Sequence, residues 1–294
     1  MRYLPLILLL VLVFGCTGQA PPAQGAPKPA PPQNEIPPTV VKINDSAPEP
    51  PATEPPPPQQ TEPPPPSTAS TLPSKEVSYE SGGWTIYGDL YEAKNKNNPT
   101  KAIILAHGLG QDRKAFPPSF IQRLHDDIPD AMIYAIDLSG HGKSTNLRTY
   151  QDFDASDFKN MKLNIIDARK PIQQGNPTVK SFYVVGADMG SSAAILAGAQ
   201  EKTITRIAMI SPGMSYNGVD IAPAVDDYAH SLFVCAGSGD TASASAAQTI
   251  QGMAGESQSD VKIYQGTSAH GTELFKATEI FSQTLEDDIV NFLK

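Results

Sequence analysis

Phe182-Tyr183-Val184-Val185-Gly186-Ala187-Asp188-Met189-Gly190-Ser191-Ser192 joins an aliphatic and aromatic run to an alanine-rich stretch that continues to Gln200. The run from Phe182 to Val185 has no polar alternation, as expected of a strand buried on both faces. Small residues on either side of Asp188 allow a strand to turn sharply into a helix, and a turn that tight projects the side chain between them. A Gly-x-x-x-Gly spacing alone needs no more than a steric explanation, so its meaning depends on what surrounds it.

Working outward, further strand-like runs cover Glu76 to Glu80, Trp84 to Tyr91, Ala102 to Ala106, Met132 to Asp137, Ile207 to Ile210, Leu232 to Ala236 and Val261 to Tyr264. Helical stretches cover Pro118 to His125, Asp157 to Gln173, Ser191 to Gln200, Ala244 to Met253 and Glu273 to Leu293. Two opening strands followed by repeated strand-helix units predict an α/β architecture: a mostly parallel central sheet of about eight strands with helices on both faces. In such sheets ligands bind beyond the C-terminal strand ends, so residues just after each strand carry most of the functional information.

The rest of the 294 residues divides sharply by composition. Arg2 precedes an apolar run from Leu4 to Phe14, too short to span a bilayer but suited to a signal peptide. It ends in Leu12-Val13-Phe14-Gly15-Cys16, which resembles a lipobox. Residues 1–16 are therefore read as a lipoprotein signal peptide with Cys16 as the lipidation site, on the outer face of a prokaryotic membrane. Residues 17–75 hold 20 of the 29 prolines and few large apolar side chains, so they are expected to form an unfolded, extended tether. Residues 76–294 are long enough for one well-cored domain. Cys16 and Cys235 are the only cysteines, so no disulfide framework is expected. A net charge of −9 without a Lys/Arg cluster excludes a nucleic-acid partner. No metal-ligand spacing or phosphate loop is present, and no cofactor is implied.

Five strand ends carry recognisable residues. His107-Gly108-Leu109-Gly110 follows the third strand, and Asp137-Leu138-Ser139-Gly140-His141-Gly142-Lys143-Ser144 follows the fourth. Gly186 to Ser192 follows the fifth. Asp240 closes the seventh, and His270 lies 30 residues beyond it in Ala269-His270-Gly271. Together these resemble the α/β-hydrolase superfamily: the His-Gly loop, the Asp-x-x-Gly-His-Gly-x-Ser signature, the nucleophile elbow, and the chain order nucleophile, acid, histidine. Ile210 to Tyr216 and Ser268 to Thr272 are most similar to small lidless esterases and dienelactone-hydrolase-like members.

The resemblance implies an Asp188-Asp240-His270 triad, with the backbone amides of Leu109 and Met189 as oxyanion hole. It gives the Asp137 turn no chemical role. His107 and Tyr216 are candidate substrate-pocket residues, with a loop-shaping histidine as the plainer role of His107. The sequence departs from those esterases at the elbow, where aspartate replaces serine. Members with an elbow aspartate, epoxide hydrolases and haloalkane dehalogenases, form an alkyl-enzyme ester that a histidine-activated water then hydrolyses. Those enzymes carry a cap, for which the segment between Pro212 and Ser231 is too short. Trp84 lies in an early strand, which argues against an indole-lined halide site. Tyr216 and Tyr228 are the tyrosines of that segment that could activate an epoxide oxygen, with packing at the core edge as the plainer role. The expectation is a membrane-anchored hydrolase of a small ester, epoxide or related electrophile. The alternative is a degenerate hydrolase fold used for binding.

Overall fold

The computed structural model describes residues 72–255 and 258–294. The expected signal peptide with Cys16, and all but the last residues of the expected tether, lie outside them. The described chain runs β1 (Lys75–Ser81), β2 (Trp84–Tyr91), β3 (Lys101–Ala106), α1 (Pro118–Asp127), β4 (Ala131–Ile136), α2 (Ala155–Asp167), α3 (Arg169–Gly175), β5 (Ser181–Ala187), α4 (Met189–Gln200) and β6 (Ile204–Ile210). It continues through β7 (Ser215–Tyr216), β8 (Val219–Asp220), α5 (Ala222–Asp227), β9 (Ser231–Gly237), α6 (Thr241–Ala254), β10 (Ser259–Tyr264) and α7 (Glu279–Leu293). Eight strands form one sheet in the order β1-β2-β4-β3-β5-β6-β9-β10. β1 and β2 pair antiparallel, β2 meets β4 antiparallel, and every later neighbour is parallel. This is the α/β-hydrolase fold.

The period-2 geometry of a strand sends alternate residues to opposite faces. In β3, Ile104 joins the core under α2, α3, α4, α5 and α6, while Ile103 and Leu105 join the core under α1 and α7. Both faces are sealed, which is why β3, β4 and β5 read as uninterrupted apolar runs. Each fully buried aliphatic side chain contributes about 1.5–3 kcal/mol of transfer free energy.

Three local outcomes differ from the sequence reading. The helix expected over Asp157 to Gln173 divides at Ala168 into α2 and α3, and Asp154 caps α2 by accepting the Ser156 and Asp157 amides in a capping box. The segment after Pro212 folds into the β7–β8 hairpin and the short α5. Beyond His270 the chain makes a 3₁₀ turn, Gly271–Lys276, before α7 begins.

Candidate active site

The turn between β5 and α4 is built by what glycine lacks. A Cβ on Gly186 would lie 2.6 Å from the Gly190 carbonyl carbon, and one on Gly190 would lie 2.6 Å from the His107 carbonyl oxygen. The turn is therefore compressed against itself and against the loop after β3. Asp188 sits at its apex with φ 50° and ψ −118°, a conformation that non-glycine residues rarely adopt and that clusters at functional sites. Its amide donates to Ile210 O at 2.9 Å and its carbonyl accepts from Ser191 N at 2.9 Å. Those two bonds hold the strained apex from both sides.

Close packing of the two loops sets the first contact of the carboxylate. Leu109 N–H donates to Asp188 Oδ2 at 3.0 Å. The other oxygen, Oδ1, lies 3.2 Å from His270 Nε2. His270 Nδ1 lies 2.7 Å from Asp240 Oδ2, and Asp240, the N-cap of α6, also accepts the Ser243 amide at 3.4 Å. Asp188, His270 and Asp240 thus form one hydrogen-bonded line across three strand ends. Met189, the first residue of α4, carries an amide with no acceptor inside its helix.

The imidazole stands between two carboxylates. Its hydrogen bond to Asp188, partly opposed by desolvation and reinforced by Asp240, raises its pKa from 6.5 to about 9. Burial works to raise the Asp240 carboxyl, but its bonds from His270 and Ser243 win and lower it.

His107 is not on a pocket wall. It is fully buried, it accepts the Leu138 amide at Nε2 (3.1 Å), and its Nδ1–H donates to Gly108 O at 2.7 Å. Burial lowers its pKa to about 3, so the ring is neutral and clamps the loop. Asp137 is likewise structural, accepting the Arg113 amide at 2.8 Å and the Lys143 amide at 2.9 Å, with Arg113 NH1 at 3.5 Å. Ser191 donates its hydroxyl to Gly186 O at 2.8 Å, inside the turn.

Tyr216, in β7, is half-buried with its ring edge-on to Phe158 at 6.0 Å. Burial raises its pKa, and the Asp188 charge and Tyr150 add to that rise. Tyr228 is fully buried against α4, with a Cβ on Gly198 only 2.7 Å from its ring. Tyr150 escaped the sequence reading because it belongs to no motif. Its ring lies flat on His141, centroids 4.4 Å apart and planes 10° apart. Its hydroxyl is 3.0 Å from where a Cβ on Gly110 would be, in the loop after β3. Gln111, equally outside any motif, accepts the Gly108 amide at 3.0 Å.

A family model described as serine aminopeptidase, S33, matches residues 97–236. That span includes the His107 loop, the Asp137 turn and the elbow, and stops short of Asp240 and His270. No curated protein matches the sequence. Among solved structures, the chain is similar to an esterase from Pyrococcus furiosus, at 16% identity and TM-score 0.62, covering 76% of this chain and 90% of that one. A thermostable carboxyl esterase from Bacillus coagulans matches at 14% identity and TM-score 0.59, covering 76% and 98%. A dienelactone hydrolase from Anabaena variabilis matches at 14% and 0.56, covering 76% and 97%. Together with the sheet order, these likenesses show that the described domain has the α/β-hydrolase fold.

Proposed function

We propose that this protein is a hydrolase that uses Asp188 as a nucleophile on a small electrophile, with His270 as general base and Asp240 orienting it. The observation that carries the reading is the division of the Asp188 carboxylate: Oδ2 takes the Leu109 amide and Oδ1 faces His270. An ester substrate would need that amide for its own carbonyl oxygen, and the carboxylate already holds it. The arrangement suits attack on a saturated carbon, because the oxyanion that later needs the amide is then Asp188 Oδ2 itself.

In the first half-reaction Asp188 Oδ1 bonds to the substrate carbon and the carbon's bond to the leaving atom breaks. Esterification removes the negative charge that raises His270 most, so the imidazole gives up a proton and becomes a base. An oxygen leaving group, as in a strained cyclic ether, consumes that proton as it becomes a hydroxyl. Tyr150 and Tyr216 stand nearby with phenol donors that suit such an oxygen. In the second half-reaction water adds to Cγ, His270 takes its proton, and negative charge moves to Oδ2 under the Leu109 amide. Collapse releases the alcohol, with Oδ1 as its oxygen.

The test is turnover in heavy-oxygen water with small epoxides, alkyl halides and short esters, followed by mass spectrometry of the Asp188 peptide. Label in the Asp188 carboxylate is expected during epoxide turnover. Turnover without label would sink the nucleophile assignment, and no turnover of any probe would favour a binding role. We further propose that Cys16 is lipidated and that residues 17–75 tether the domain to the outer face of a membrane, on the strength of Arg2, the apolar run Leu4 to Phe14 and the proline content.

A further inference from the structure

A pair of hydrogen bonds outside the triad joins the loop after β3 to the loop that carries His270. Gln111 Oε1 accepts the Gly108 amide at 3.0 Å, and Gln111 Nε2 donates to Thr272 Oγ1 at 2.8 Å. Thr272 is 1% exposed and lies two residues beyond His270, so one end of the bridge is fixed in the core. A Cβ placed on Gly108 would be 3.1 Å from both Asp188 Oδ2 and Gln111 Oε1. Gly108 is therefore the narrow gap between the carboxylate and the Gln111 amide. Whatever holds the Gly108 peptide also aims the next N–H, that of Leu109, at Asp188 Oδ2.

We propose that Gln111 is a positioning residue for the hydrolytic half-reaction, holding the Leu109 amide where charge builds on Asp188 Oδ2. This rests on the reading of Asp188 as the esterified group. The two half-reactions need the amide in opposite degrees. Esterification consumes the carboxylate charge, so an amide bonded to Oδ2 stabilises the starting state and its loss does not slow the step. Hydrolysis rebuilds charge there: water oxygen bonds to Cγ, His270 Nε2 takes one proton, and the carbonyl electron pair moves onto Oδ2. On collapse the Cγ–Oδ1 bond breaks, the departing alkoxide takes the proton from His270, and the acid proton left on Asp188 returns to the imidazole. Removing an oxyanion-hole donor outright costs about 10²–10³ in rate, and loosening its support costs less.

The experiment uses the full chain with styrene oxide, comparing wild type, Gln111→Ala, Gln111→Glu and Thr272→Val by quenched-flow mass spectrometry, steady-state kinetics and thermal melting. Gln111→Ala is expected to esterify at the wild-type rate, to accumulate the Asp188 ester, and to lose about tenfold in both kcat and KM, leaving kcat/KM and melting unchanged. Gln111→Glu, which still accepts from Gly108 N–H, should recover most of kcat. Thr272→Val should act in the same direction as Gln111→Ala and add little to it, because both cut one bridge. A fall in kcat/KM with no accumulated ester, or wild-type kinetics in Gln111→Ala, overturns the proposal. If wild type itself never carries label on Asp188, the nucleophile reading fails and this proposal with it. Label in wild type without accumulation in Gln111→Ala removes this proposal alone.

Discussion

His270 Nε2 stands 3.2 Å from Asp188 Oδ1, and that contact is the largest cause of the imidazole's raised pKa. A histidine whose pKa rises from 6.5 unfolded to about 9 folded contributes stability that is complete below about 6.5 and is lost as pH climbs through about 9. Asp188→Asn removes the largest cause of that rise. The melting-temperature gap between wild type and Asp188→Asn should be widest near pH 6 and close by pH 10. A gap independent of pH would show that the ion pair does not set the histidine's charge.

Asp188→Ser removes the carboxylate from the Leu109 amide and puts a hydroxyl at the elbow, with the histidine and its acid still in line. Freed of Asp188, His270 should titrate nearer its ordinary value and serve as base from the first step. The variant is expected to hydrolyse p-nitrophenyl acetate at least ~10²-fold faster than wild type, the scale of one oxyanion donor made available. Faster acetate hydrolysis by wild type would mean that the amide is open to substrate despite the Asp188 contact.

The middle of the sheet was legible because β3, β4 and β5 are buried on both faces: Ile103 and Ile104 need no alternation to reveal themselves when each side is covered. Asp188, Asp240 and His270 were legible because each lies in the loop that leaves a strand's C-terminal end, and those ends converge in a parallel sheet. Tyr150 and Gln111 were not. Each acts through a loop whose path depends on long-range contacts, Tyr150 through its stack on His141 and Gln111 through Thr272, far along the chain. The break at Ala168 did carry a signal in Pro171, which has no N–H for the Asp167 carbonyl and whose ring crowds it. His107 takes the loop-shaping role its sequence context allowed, held by the Leu138 amide and the Gly108 carbonyl.

Two glycines give substitutions of opposite sign. Gly190→Ala drives a methyl into the carbonyls of Ala106 and His107, backbone atoms that cannot rotate away. It should cost about 1–3 kcal/mol or more in urea unfolding. Gly252 lies within α6, where a Cβ would meet nothing within 4 Å. Gly252→Ala should stabilise by about 0.5–1 kcal/mol. Equal effects at the two positions would contradict the packing of the elbow against the loop after β3.

Cys16→Ser tests the proposed anchor without touching the domain. Expressed in a bacterial host with its own leader, the wild-type chain should partition with membranes and incorporate labelled fatty acid, while the variant incorporates none. A single acyl chain binds membranes only marginally, so stable retention requires the multiple chains of a lipoprotein. Fatty-acid labelling of the variant equal to wild type would remove Cys16 from the account.

Tyr150→Phe keeps the ring on His141 and deletes only the hydroxyl next to the oxyanion loop. Stability should stay within about 0.5 kcal/mol, since that oxygen has no hydrogen-bond partner among the described residues. The kinetic effect should depend on the leaving atom. Opening a strained ether places charge on an oxygen that a phenol can stabilise, so kcat/KM for styrene oxide should fall roughly 10- to 100-fold, in line with loss of a proton donor. A bromide ion leaves without needing a proton, so an alkyl bromide should react with Tyr150→Phe as with wild type. Paired assays on the two substrates, each read as the ratio of variant to wild type, therefore separate a donor from a wall: a wall residue would lower both ratios alike, and a spectator would lower neither.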